Sequence, residues 1–231
     1  VIYISQALAR RNPYKASMKG SIPVNVLTRV PSANAAPLDL DINLDHADMN
    51  ALALFFNPVT SAEGPIKGYV KVSGAWDDPE LRGDVSVKNG RIELLTLHDP
   101  IFPLNMDVKF DGKSATVEGN AVFGTGKSSV KGGLEWDRGA IIAYNGEAHL
   151  HAPDIHSDYY KGSLDADFGL GEVMDVPGIE GNIHVHDALV EFPLTLLSDS
   201  GSSSIPALIK LEVLVGDNVR AKSSSLYDLR L

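Results

Sequence analysis

Apolar and polar side chains alternate with a period of two along most of the chain. Between residues 64 and 94, Gly68, Val70 and Val72 alternate with tyrosine, lysine and serine, and the alternation resumes beyond a turn at Pro79. A strict period of two over four or more residues is typical of a β-strand with one apolar and one solvated face. The same alternation predicts further strands at residues 38–44, 104–110, 115–123, 129–136, 142–150, 163–170, 179–189 and 209–215.

Short, turn-rich segments separate these predicted strands. Residues 111–112, 124–126 and 137–139 combine glycine with aspartate or other polar residues. Turns of this length and composition favour β-hairpins. We therefore expect an all-β fold in which one antiparallel sheet is built as a meander.

Two segments depart from the strand pattern. Residues 48–57 predict one short helix, because Asp48 can cap its first turn and Pro58 follows its end. Residues 198–204 are rich in serine, and we expect them to form a flexible loop. That loop interrupts a sheet and does not mark a boundary, so residues 1–231 are interpreted as a single repetitive β domain.

Residues 77–94 and 175–192 form an internal repeat. From Asp77 the first reads D-x-P-x-L-x-G-x-V-x-V, and from Asp175 the second reads D-x-P-x-I-x-G-x-I-x-V. The strands that follow, 106–110 and 211–215, correspond loosely. The repeat indicates a chain that extends by adding similar units along one axis.

Glycines recur on the apolar side of the predicted strands. Within a strand, a glycine weakens the sheet and marks a bend, a bulge or a close approach of backbones. One such glycine per strand would let the sheet curl along a common line. The alternative is chance, because the chain has 21 glycines and bulges need glycine anyway. The glycines in question are Gly20, Gly68, Gly83, Gly119, Gly132, Gly146, Gly162 and Gly181.

The amino-acid composition excludes some classes of function. The chain has 231 residues, a hydrophobic content of 44%, no cysteine and a formal net charge of −10. Nucleic-acid binding and docking on anionic headgroups both need a basic surface, so we expect neither. No apolar run approaches the ~18 residues that a membrane-spanning helix needs. The alternation continues through residues 226–231, so we interpret the sequence as a segment of a longer protein.

Candidate chemistry is sparse. His149 and His151 form an i, i+2 pair, as do His184 and His186, and each pair lies on the polar side of a predicted strand. Four imidazoles would meet only if the two strands were neighbours, and no carboxylate or cysteine completes a familiar ligand spacing. The polar residues from 154 to 158 fit an acidic turn better than a hydrolase site. We therefore predict no enzymatic activity, no catalytic residues, no metal and no cofactor.

One family shares the strand-and-glycine pattern. Residues 68–74 read G-x-V-x-V-x-G, Pro79 follows, and residues 81–90 read L-x-G-x-V-x-V-x-N-G. Together with the short apolar helix before Gly64, this pattern resembles the C-terminal region of the TamB/AsmA-like bacterial envelope proteins, over most of residues 38–231. The resemblance implies a β-taco, an elongated, U-shaped antiparallel sheet that curls around an apolar inner groove.

The resemblance also implies a function. Such proteins are anchored in the inner membrane of diderm bacteria, span the periplasm, carry phospholipid towards the outer membrane and work with Omp85-type outer-membrane barrels. An inner-membrane anchor would then lie outside residues 1–231. The lipid-lining role falls on inward positions of the strands: Val70, Val72, Val85, Val87, Ile92, Leu94, Leu104, Met106, Val108, Phe110, Val117, Phe123, Leu134, Trp136, Ile142, Tyr144, Leu164, Phe168, Ile183, Val185, Val213 and Val215.

Other functions fit the same alternation. A closed sandwich and an open trough both alternate with a period of two, so a structural or adhesive β-repeat domain with a dry core is the alternative. A polysaccharide-binding β-fold would need a cleft lined with aromatic side chains and carboxylates. Aromatic residues make up only 7% of the chain, which disfavours that third function.

Overall fold

The computed structural model describes residues 1–11, 14–23, 36–50, 58–173, 176–192, 208–223 and 228–230. These residues confirm the predicted all-β fold. They form the strands β1 (Ile2–Arg11), β2 (Tyr14–Ile22), β3 (Leu38–Asp48), β4 (Val59–Glu63), β5 (Pro65–Ala75), β6 (Asp78–Leu94), β7 (Ile101–Gly112), β8 (Ser114–Phe123), β9 (Gly126–Asp137), β10 (Ala140–His156), β11 (Tyr160–Val173), β12 (Val176–Phe192), β13 (Leu208–Val215), β14 (Arg220–Ser223) and β15 (Asp228–Arg230).

All the strands belong to one sheet with a simple order. Its path runs β1-β2-β3-β5-β6-β7-β8-β9-β10-β11-β12-β14-β15, with β4 beside β6 and β13 beside β12. Neighbours are antiparallel except that β13 and β14 both run parallel to β12. The prediction of a wholly antiparallel meander is wrong at these two strands. The physical reason is the long connection at 193–207, since parallel pairing requires a crossover of about a dozen residues.

The cross-strand register gives the sheet one apolar and one polar face. One row across the sheet runs Gly68, Val85, Val108, Val117 and Gly132, and it continues through Gly146, Leu170 and Ile179. The neighbouring row on the opposite face begins with charged and hydroxyl side chains. Period-2 alternation in the sequence is therefore preserved strand by strand across the sheet.

The repeated segments form strands β6 and β12, which are both 17 residues long. Asn89 and Asp187 hold the same place in them, and both adopt left-handed backbone angles, with φ of 53° and 46°. A short strand lies along the end of each, β4 on β6 and β14 on β12. The loose correspondence of residues 106–110 with 211–215 does not extend to direction, because β7 is antiparallel to β6 and β13 is parallel to β12.

The segment 48–57, which the sequence predicts to be a helix, begins with the last residue of a strand. Strand β3 continues through Asp48, and residues 49–50 then form a short 3-10 turn. The Asp48 carboxylate accepts a hydrogen bond from the backbone N–H of Asn50 at 2.9 Å, which is a capping contact. Residues 51–57 lie outside the described residues, as do residues 198–204.

Among the described residues, buried apolar side chains pack together in three small clusters on the apolar face. They centre on Met49, Ala62 and Val87, on Ala152 and Ile155, and on a set formed by Val185, Ala188 and Val219. The chain exposes 15235 Å², whereas a compact protein of 24.7 kDa exposes about 10,000 Å². No second layer of described residues covers the sheet.

The eight glycines singled out in the sequence all lie on the apolar face, and six of them fall within three adjacent cross-strand rows. Gly83 illustrates why glycine is required. Its φ is +135°, and a Cβ there would lie 1.9 Å from the carbonyl oxygen of Tyr69 on the next strand. Backbones approach this closely only where no side chain intervenes.

Candidate functional site

One end of the apolar face is folded inward. Leu97, in the connection before β7, and Ile101, the first residue of β7, pack against Ala152 and Ile155 of β10. The backbone N–H of His98 donates to the carbonyl of His156 at 3.0 Å. Strands β7 and β10 are three places apart, which is about 14 Å in a flat sheet. Direct packing between their apolar side chains shows that the sheet curls with the apolar face inside at this end.

Contacts also connect distant strands at the opposite end. The indole N–H of Trp136 donates to the carbonyl of Pro79 at 2.8 Å, although two strands lie between β9 and β6. Beside it, Lys113 Nζ lies 2.5 Å from Asp78 and 2.7 Å from Asp137. Hydrogen bonds to Asp137 and Asp78 raise the pKa of the Lys113 ammonium. These contacts tie the β5–β6 and β9–β10 turns together over the tip of the β7–β8 hairpin.

Between these two ends the apolar face stays open to solvent. Leu134 is 38% exposed and Leu170 is 44% exposed, values far above those of a packed core. A cavity of about 380 Å³ extends from Ile92 of β6 to Phe168 of β11 along this face. We call this open surface the apolar groove and define it by six residues of the apolar cross-strand rows: Val108, Phe110, Val130, Leu134, Phe168 and Leu170. Val130 and Phe168 also line the cavity.

The register places most of the predicted lining residues on the apolar face, but Ile142 is the unpaired residue of a bulge in β10. The surroundings of the lining residues also differ. Val70, Val87 and Val185 are buried, and the last two belong to packed clusters instead of lining open surface. Leu134 and Ile142 are exposed, as are Val213 and Val215 at the edge of the sheet. The side chain of Phe123 lies outside the described residues. A part-buried set packs against the clusters and joins them to the groove: Ile92, Leu104, Met106, Leu164 and Ile183.

The lining prediction omitted several residues that the structure brings to the same surface. Leu150 and Val130 border the cavity, and Leu170 continues the row that begins at Gly68. The alternation of β9, β10 and β11 could have identified all three. Leu97, in the connection before β7, could not have been found this way, because it lies outside any alternating segment.

The polar face is a charged surface. Lys71 Nζ lies 2.9 Å from Asp39, and the Tyr69 hydroxyl donates to Asp41, whose pKa this hydrogen bond lowers. These contacts place the acidic side chains of β3 on the solvated face of the sheet. Two larger clefts, of about 990 and 690 Å³, run across β6–β11 and β8–β11. Their linings mix charged side chains, such as Lys131 and Glu147, with apolar residues, and Val108, Phe110 and Leu170 of the apolar groove also line the larger cleft.

The two histidine pairs come close together on the polar face, with β11 between them. Asp167 lies 2.5 Å from His149, and Asp165 is hydrogen-bonded to His151 and lies 3.5 Å from His186. The bond with His151, supported by His186, lowers the pKa of Asp165. No set of three or more His, Asp or Glu side chains in the part of the chain that the structure describes is arranged to hold a metal ion.

The polar residues from 154 to 158 form the end of β10 and the start of the turn to β11. His156 lies 3.3 Å from Asp154 and 3.6 Å from Asp99, and His98 pairs with Asp158 at 2.9 Å. These contacts fasten the inward-folded end of the sheet. The arrangement pairs both imidazoles with carboxylates. Ser157 lies beside them in sequence, but its hydroxyl donates to the backbone carbonyl of Tyr160 at 3.2 Å within the turn.

Comparison with known proteins finds no similar protein. No protein-family model, curated protein or solved structure matches the chain. The resemblance to the TamB/AsmA-like group therefore stays a prediction. Within the described residues, no helix has the length and apolar character needed to cross a bilayer.

Proposed function

We propose that the apolar groove binds lipid acyl chains and that the protein is a non-catalytic lipid conduit. The observation that carries this proposal is the continuous apolar face that remains solvent-accessible between its two fastened ends. Its exposed members include Val130, Leu134 and Leu170. Contiguous exposed apolar surface on a soluble protein usually marks a binding site.

The dimensions of the groove suit an acyl chain. From β6 to β11 it crosses six strands, which is roughly 24 Å along the sheet at a spacing of about 4.8 Å. One acyl chain spans about 15 Å, half of a ~30 Å hydrocarbon core. Each methylene group buried completely would contribute about 0.8 kcal/mol, so even partial burial of one chain gives useful affinity.

The mechanism is passive. The apolar walls solvate the acyl chain while the headgroup remains in water, so the chain slides along the groove without crossing a polar barrier. The acidic net charge of −10 keeps the outer face hydrated. By resemblance, we place this activity in the periplasm, with phospholipid as cargo, an inner-membrane anchor outside this segment and an Omp85-type barrel as partner. Assistance to outer-membrane protein assembly is part of the same proposal.

Transfer of a fluorescent phospholipid between donor and acceptor vesicles tests the proposal. We expect Val108→Asp to abolish transfer, because it places a carboxylate in the central row of the groove. The matched control is Thr116→Asp, which adds the same charge on the polar face of the next strand, opposite Lys109. Equal transfer by wild type and Val108→Asp would refute the conduit, and so would equal loss in both variants.

The structural or adhesive alternative predicts a different result. A dry-core module would bind no acyl probe and would transfer no lipid in any variant. The open surface around Leu170 favours the conduit over this alternative.

A further inference from the structure

Among the described strands, β13 has one edge without a neighbour. It pairs with β12 on one side through residues 208–215, and no described strand lies on its other side. All eight of its residues are exposed. A long edge strand with apolar side chains is a template for pairing with another strand.

The sequence of β13, LIKLEVLV, is complementary to itself in one antiparallel register. With a two-fold axis at Leu211, Ile209 lies opposite Val213 and Lys210 lies opposite Glu212. Leu208 then lies opposite Leu214. Because directly opposite residues share a face of the sheet, the apolar faces of two copies join without a break, and opposite charges meet twice on the other face.

Other registers fit less well. Moving the partner by two residues places Glu212 opposite itself, and like charges directly opposite each other are destabilising. A shift by one residue turns the apolar face of the partner towards the polar side. Within its own chain Lys210 lies beside Glu180 of β12, whereas Glu212 lies beside the neutral Asn182. Glu212 therefore has no opposite charge beside it on β12, which leaves it suited to a lysine from outside.

We propose that β13 mediates a symmetric dimer in which the β13 strands of two copies pair antiparallel about Leu211. This interface is isologous, since the same patch contacts itself. It would form roughly six to eight backbone hydrogen bonds and merge two sheets into one. The apolar face of each copy would then continue into that of the second copy. The dimer does not depend on the groove binding lipid.

Sedimentation across a wide range of protein concentration tests the dimer. We expect a reversible monomer–dimer equilibrium for the wild type. Glu212→Lys places lysine opposite lysine at two positions, and we expect the dimer Kd to rise about tenfold. Lys210→Glu should act similarly. The matched control is Arg82→Glu on β6, which changes the charge by the same amount but is paired on both sides, opposite Lys71 and Asp111.

Mixing the two single variants gives the sharpest result. Each variant alone repels itself, but Lys210→Glu and Glu212→Lys restore two opposite-charge pairs with each other, so the mixture should recover wild-type dimerisation. The double variant should also dimerise. Circular dichroism checks that each variant folds. If Lys210→Glu unfolds, because it places a glutamate beside Glu180, then Glu212→Lys and the double variant still test the register.

Three results would overturn the proposal. A wild-type protein that stays monomeric throughout has no such interface. A dimer that persists in both single variants uses another surface. Oligomers that grow beyond two copies would mean that β13 pairs with a different edge, such as β1, in a head-to-tail arrangement.

Discussion

Two valines in the same cross-strand row offer a test of whether the apolar face is open. Val87 of β6 and Val130 of β9 are connected through Met106 and Gly119. Val87 is 4% exposed and packs in the cluster around Met49, whereas Val130 is 37% exposed in the groove. The perturbation is the same substitution at both places, valine to aspartate.

The expected costs differ by about 3 kcal/mol. At position 87 the substitution removes about 2 kcal/mol of apolar burial and places a carboxyl without a partner in an apolar cluster, which adds about 2–3 kcal/mol. At position 130 the valine is only partly buried and the carboxylate keeps its water. Val130→Asp should therefore lower the free energy of unfolding by about 1 kcal/mol.

Urea denaturation followed by circular dichroism measures both values, and titration with a fluorescent fatty acid measures binding. Val130→Asp should stay folded and lose acyl binding, because the probe would have to desolvate the new charge. If both variants lose 4 kcal/mol or more, the face around Val130 is a packed core. An open groove would then be refuted, whatever the binding data showed.

Three further predictions follow from local geometry. Gly83→Ala should lower the free energy of unfolding by about 2–4 kcal/mol, because its φ of +135° and the adjacent backbone exclude a Cβ. The control Gly171→Ala, where a Cβ would meet no atom within 4 Å, should change it by less than about 0.5 kcal/mol. Equal values in urea denaturation would contradict this. Burial raises the pKa of Tyr160 to about 12, so its contribution to stability is present below pH 10 and is lost as the pH rises towards 12. Tyr160→Phe should flatten that decline in stability. An absorbance titration in which no tyrosine ionises later than the others would disprove the shift. Trp136→Phe removes the hydrogen bond to Pro79 and should lower the melting temperature by an amount equivalent to about 1 kcal/mol; an unchanged melting temperature would show that this contact contributes nothing.

Much of the fold was predictable because alternation is a local property. Each predicted strand recurs in the structure, with ends extended by a few residues, and the inward glycines share one face because side chains alternate in every strand. The repeat also has a local basis, since Asn89 and Asp187 both occupy left-handed positions. Asparagine and aspartate tolerate the left-handed backbone conformation better than most other residues.

Other features depend on contacts between distant segments. The parallel placement of β13 follows from where a long connection returns the chain, and alternation carries no information about direction. The clusters around Met49 and Val219 use residues outside the alternating strands. Whether the apolar face is open or packed was also undetermined by the pattern, because both give the same period of two.

The central claim is that the apolar groove holds acyl chains, and native mass spectrometry with lipid extraction tests it most directly. The protein would be purified from bacterial membranes or periplasm, as wild type and with Val108→Asp or Phe110→Asp. We predict co-purifying phospholipid on the wild type and its loss from both variants. A wild-type protein that is free of lipid, stable and unresponsive to added fatty acid would contradict the account, because an open apolar groove would not remain empty under those conditions.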